Sequence, residues 1–184
     1  MKRATSSVIA VILLLTAIRH RAVLAQNQQH ATPPEVKRTV DAFLGHWVLA
    51  VRDTELGAKV SAHFEITIDC KPAALGAAVT CGFASQVPGV GPIEAASVIG
   101  YSPDEQLVRW MEISSIGEYH DHKGRWKGNG IEFEPLAYSI GGKQATEYLS
   151  VSFASPDQMT LRSVTETVDG KSILECAGER LKSK

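Results

Sequence analysis

An excess of charge of one sign is missing from this chain: its 184 residues carry 19 Lys and Arg against 20 Asp and Glu. Nucleic acid is therefore excluded as a main partner, because holding a phosphate backbone demands a dense basic surface. Long apolar runs are also scarce. The one that exists, Val8–Leu15, is shorter than the roughly 20 residues a membrane-spanning helix needs, so no stable span is expected. No Gly-x-Ser-x-Gly elbow, no phosphate-binding P-loop and no Gly-x-Gly-x-x-Gly after a strand occurs, which removes the commonest signatures of hydrolases, nucleotide-binding proteins and dinucleotide enzymes. No cofactor is implied. Neither a charge block nor a Pro/Gly-rich tract points to disorder, and the length suits a single domain.

The start of the chain has its own composition. Lys2 and Arg3 precede the apolar run, and Val23-Leu24-Ala25 supplies small residues before a cut. This order predicts a secretory signal peptide over residues 1–25, and hence a secreted or periplasmic protein, with an uncleaved signal anchor as the alternative. Removing it takes Lys2, Arg3, Arg19 and Arg21 and no acidic residue, leaving fifteen basic against twenty acidic side chains. Residues 26–31 are expected to form a polar, flexible lead-in, and one domain is expected from 32 to 184.

Thr32-Pro33-Pro34-Glu35 then predicts a helix start, with Thr32 as N-cap. Val36, Val40, Phe43 and Leu44 recur at helical spacing, and Gly45 stops the helix. Beyond Gly45 the hydrophobic period changes from 3.6 to 2. Strands are predicted at His46–Arg52, Lys59–Asp69, Ala77–Gln86, Glu94–Tyr101, Gln106–Ser114, Gly117–Lys123, Arg125–Lys127, Gly130–Glu134, Gln144–Phe153, Gln158–Val168 and Ser172–Leu181. Asn129-Gly130, Gly141-Gly142 and Asp169-Gly170 accept the positive φ of tight hairpins, and Ser102-Pro103 and Ser155-Pro156 open proline turns. No helical stretch separates the strands, which disfavours a parallel sheet. About ten short antiparallel strands must deal with two sheet edges, and closure removes both. The fold expected is all-β: an antiparallel, meandering β-barrel with one short N-terminal α-helix. Gln86–Pro92, rich in Pro and Gly, is expected as a loop, either at the barrel mouth or as a plain surface crossing.

Strand phase also bears on the three cysteines. Phe64, Ile66, Ile68 and Cys70 share the apolar phase of one strand; Ala77, Val79, Cys81 and Phe83 share that of the next. Both Cys70 and Cys81 thus face inward on successive strands. A Cys70–Cys81 disulfide is predicted, worth about 3 kcal/mol on loop entropy, with two buried thiols as the alternative. Cys176 has no recognisable base beside it and reads as a lone buried thiol.

Phe43-Leu44-Gly45-His46-Trp47 places Gly-x-Trp at the junction of the helix and the first strand. This resembles the lipocalins and the wider calycin superfamily, and the resemblance implies that Trp47 plugs the closed end of a barrel. Gly100-Tyr101-Ser102-Pro103, then Trp110, then Trp126-x-Gly128 follow in an order similar to that of an uncharacterised family of bacterial secreted proteins with a lipocalin-like, calycin-type β-barrel. The likeness runs from Phe43 to Arg180, with Ser102 where that family usually has Asp.

Two groups of residues carry possible chemistry. On a strand, Glu118, His120 and His122 project to one side, where two imidazoles and a carboxylate could bind Zn²⁺ or Fe²⁺; the same residues also read as a solvated outer face near a turn at Lys123-Gly124. Arg109 shares a phase with Leu107, Met111 and Ile113. If that phase faces inward, Arg109 could hold a ligand carboxylate or pair with a glutamate. Phe64, Phe83, Met111, Phe133, Tyr148 and Phe153 are candidate pocket walls, and in any barrel such residues also serve as core. The function expected is an exported, non-catalytic protein binding a small apolar or amphipathic molecule in a barrel cavity. A metal-dependent enzyme built on Glu118, His120 and His122, or a filled barrel with a structural role at the envelope, are the alternatives.

Overall fold

Helix α1, Pro34–Phe43, begins the part of the chain described by the computed structural model, which covers residues 32–55 and 63–181. The predicted signal peptide, the lead-in and Lys59–Ala62 of the second predicted strand lie outside these residues. Pro33, not Thr32, is the N-cap, and no side chain caps the helix. Proline fixes φ near the helical value and lacks an N–H that would otherwise go unpaired, so two prolines start the helix without a cap. Val36, Thr39, Val40 and Phe43 form its buried face. Gly45 then takes a φ of +113°, a conformation closed to other residues, and turns the chain into the first strand.

Eleven strands follow among the described residues. They are β1 (Gly45–Glu55), β2 (Glu65–Ala73), β3 (Ala78–Val87), β4 (Gly91–Ser102), β5 (Leu107–Ser114), β6 (Tyr119–Lys127), β7 (Gly130–Phe133), β8 (Leu136–Ile140), β9 (Lys143–Ser155), β10 (Gln158–Thr167) and β11 (Gly170–Leu181). Every ladder is antiparallel and joins neighbours in sequence, apart from two. β11 pairs with β1, which closes the barrel, and β7 and β8 both pair with β9 along successive stretches. The circuit thus has ten strand positions, the meandering barrel expected. No described helix is long and apolar enough to cross a membrane.

Three local features differ from the sequence reading. Gln86–Pro92 is no loop: β3 and β4 pair as far as Val87 with Gly91, and a turn over Pro88–Val90 joins them. Pro92 lies opposite Gln86. Lys123-Gly124 is not a turn either, because β6 runs unbroken through it. A Cβ at Gly124 would stand 2.6 Å from Phe133 Cδ1, so the glycine makes room for that ring. The third, β8, went unforeseen. Pro135 separates it from β7, and β8 bonds only to β9. On this side β6 is paired only from Gly124 onward, with Glu134 N–H reaching Lys123 O, so Tyr119–His122 face β8 across a seam without ladder bonds.

The core runs through the barrel. At the end near α1, Trp47 is fully buried and its Nε1 donates to Phe43 O at 2.9 Å. Phe153 meets Phe43 edge-on at 5.6 Å and lies 6.0 Å from Trp126, while Trp126 Nε1 donates to Thr39 Oγ1. The Arg180 guanidinium covers Trp47 and donates to Asp41 O and Ala42 O at the C-terminus of α1, where the helix dipole favours a cation. Cys70 and Cys81, direct partners across β2 and β3, form the predicted disulfide; Cys176 is free and buried.

Candidate functional site

Alternation of side chains on the strands sends one phase of each into the barrel, and not all of that space is filled. A cavity of about 270 Å³ remains. Leu49 of β1, Ile66 and Ile68 of β2, Phe83 of β3, Trp110 of β5, Leu149 of β9 and Leu161 of β10 supply apolar wall, with Phe64 just ahead of β2. Trp110 sits between the cavity and the closed end, stacked on Phe83 at 5.7 Å and touching Phe43 edge-on at 5.7 Å. The barrel is therefore not filled.

One side of this cavity is polar. Glu112, Glu118, His120, His122, Glu147 and Ser163 all line it, and no Lys or Arg does among the described residues. His120 and His122, two apart on β6, share its inward face. Glu147 approaches from β9: its Oε2 lies 3.1 Å from His120 Nδ1 and 3.5 Å from His122 Nε2. Ser163 Oγ of β10 donates to Glu147 Oε1, and Trp110 Nε1 donates to Glu112 Oε2 at 3.2 Å. Glu118 Oε2 stands 4.0 Å from His120 Nε2, and the His120 ring lies 4.5 Å from that of Tyr138 on β8.

Position sets the charge states. Burial works against charge on His120, but Glu147, Glu118 and Glu112 outweigh it, and the His120 pKa is raised. Burial alone would raise that of Glu147; contacts with His120, Ser163 and His122 reverse this and lower it. Burial dominates at His122, whose pKa is lowered, and at Glu112, Glu118 and Tyr138, whose values are raised. Near neutral pH the site thus centres on an ionised Glu147 beside His120, with a neutral imidazole at His122. The cluster is incompletely satisfied: Glu118 Oε1, His120 Nε2, His122 Nδ1 and Glu147 Oε2 are buried without a hydrogen-bond partner. Buried polar atoms normally find one, and leaving one unpaired costs about 1–3 kcal/mol.

The structure sorts the residues singled out from the sequence. Glu118, His120 and His122 come together inside the barrel, not on a solvated outer face. Phe64 and Phe83 line the cavity. Trp47, Phe133 and Phe153 are buried in the core outside the cavity lining. Arg109, Met111 and Tyr148 are elsewhere: their strand phase faces outward, with Met111 and Tyr148 exposed. Arg109 pairs on the outer surface with Glu105 and Asp121. In β5 both phases carry apolar residues, and the large Trp110 ring takes the interior. Glu147 and Ser163 were missed. The signal for Glu147 was its phase, since Ala145, Leu149, Val151 and Phe153 share it and an acid among them is out of place.

No protein-family profile matches the chain, and no curated protein sequence matches it. Similar solved structures are β-barrels. The S-type phycobiliprotein lyase of Guillardia theta is 16% identical, covers 83% of this chain and 96% of its own, and superposes with a TM-score of 0.53. A de novo designed fluorescence-activating β-barrel is 17% identical over 77% of this chain and 96% of its own, with a TM-score of 0.44. At these identities the likeness to the lyase concerns the fold alone.

Proposed function

We propose that the protein binds a small amphipathic molecule inside its barrel, as an exported, non-catalytic binding protein. One observation carries this reading: a cavity of about 270 Å³ whose wall is largely apolar and holds a cluster of His and Glu side chains with unpartnered polar atoms. An apolar cavity of about 150 Å³ takes up benzene, so this one has room for more than a single ring. The apolar part of the ligand packs among Leu49, Ile66, Phe83 and Trp110. Its polar end meets the carboxylates, which favour a hydrogen-bond donor or a cation and repel another carboxylate.

Trp110 lines the cavity and reports on occupancy. With chelator-treated protein, octylamine and octanol are expected to change tryptophan emission saturably, and octanoate far less at neutral pH. Ile66→Phe, which narrows the cavity, should weaken the response at least tenfold, and Trp110→Phe should remove it. A linear, non-saturating response, or one that Ile66→Phe leaves unchanged, would falsify the reading.

A further inference from the structure

We propose that His120, His122 and Glu147 form a binding site for one divalent transition-metal cation of the zinc class. The donors are of the right kind: two imidazoles and one carboxylate suit Zn²⁺ and its neighbours, whereas Mg²⁺ and Ca²⁺ prefer all-oxygen sites. Their spacing also fits. Donors placed about 2.0–2.1 Å from a tetrahedral ion stand roughly 3.3 Å from one another. Glu147 Oε2 lies 3.1 Å from His120 Nδ1 and 3.5 Å from His122 Nε2, bracketing that edge. One donor atom from each of the three residues lies within 4.8 Å of the others, so a small side-chain adjustment closes the triangle.

The surroundings resemble those that orient metal ligands. Ser163 occupies Glu147 Oε1 and leaves Oε2 free for the ion. With Nδ1 of His120 turned to Glu147, its Nε2 faces the Glu118 carboxylate at 4.0 Å, an acid placed to orient and polarise the imidazole. His122 and Glu147 are both more than nine-tenths buried. Glu147 Oε2, the carboxylate oxygen between the two imidazoles, has no hydrogen-bond partner. A cation held by His120 Nδ1, His122 Nε2 and Glu147 Oε2 would satisfy this carboxylate oxygen, which the contacts within the protein leave without a partner. No Lys or Arg lines the cavity to compete for the carboxylates among the described residues. This site does not depend on the amphiphile reading, and the metal alone tests it.

The experiment strips the full-length protein with chelator, dialyses it against Zn²⁺, and measures bound metal by mass spectrometry, with Co²⁺ as a visible-absorption probe. Expected are one Zn²⁺ per chain and the intense visible bands of low-coordinate Co²⁺. His122→Ala and Glu147→Gln should each weaken binding about 100-fold, and Ser163→Ala or Glu118→Gln about tenfold, the usual range for orienting partners. His46→Ala and His63→Ala should change nothing. Far-UV circular dichroism checks each fold; should His122→Ala not fold, Glu147→Gln, which keeps side-chain volume, decides. Folded wild type that retains no Zn²⁺, or Zn²⁺ retained undiminished in Glu147→Gln, overturns the proposal.

Discussion

The two ends of the barrel interior are built on opposite rules. Near α1, aromatic rings pack edge to face and their polar atoms are matched: Trp47 Nε1 with Phe43 O, Trp126 Nε1 with Thr39 Oγ1. Arg180 Nε, unpartnered there among the described residues, still lies 3.8 Å from an Asp157 oxygen. Around the cavity, space is left open and four buried polar atoms of Glu118, His120, His122 and Glu147 are left unmatched. Tight, satisfied packing stabilises a native state, whereas unsatisfied buried groups weaken it and persist where something else makes use of them. The difference assigns stability to the closed end and leaves the cavity for the binding proposed above.

Substitutions test this contrast directly. Trp47→Ala should do the most harm, losing about 3–5 kcal/mol in denaturant unfolding, as expected when a large, fully buried aromatic leaves a void. A loss below 1 kcal/mol would contradict the closed-end assignment. Thr39→Val, which keeps shape but strands Trp126 Nε1–H, should cost about 1–2 kcal/mol by the same measurement. Arg109→Ala removes a half-exposed pair on the outer surface and should cost less than about 1 kcal/mol while leaving octylamine binding unchanged. His122→Phe should cost least, or raise the melting temperature slightly. It keeps an aromatic ring against Trp110 and Phe133 while deleting unmatched polar atoms. A large destabilisation by His122→Phe would make the cluster structural and erase the contrast.

The closed end was the more legible of the two. Gly45 and Trp47 marked the helix–strand junction, and period-2 alternation placed Cys70 opposite Cys81, because hydrophobic phase reads out a strand with only one apolar face. Where both phases hold apolar residues, alternation says nothing about which faces in. β5 shows this: its sequence leaves open whether Arg109 and Met111 or Trp110 and Glu112 face inward, and the structure puts Trp110 and Glu112 there. β6 held a clearer sign, since Asp121, Lys123 and Arg125 opposite the histidines make the more charged, outer phase. His120 and His122 share the other phase with Gly124 and Trp126. Glu147 joins them from a strand distant in sequence, and only the closed barrel brings β6 and β9 face to face. Turn chemistry misled at Gly124, where glycine serves ring packing, and around Pro88, where three residues suffice to reverse the chain.

Pro135 leaves one further mark on the molecule. It has no N–H to extend the ladder from β7, and past it β8 follows β9 alone, so Tyr138 meets His120 where backbone bonds join strands elsewhere. Parting the wall at that line breaks no backbone ladder bond, only side-chain contacts such as that of His120 with Glu147. Among the described residues, a sideways opening of the cylinder at that line would uncover His120 before any ladder bond gives way.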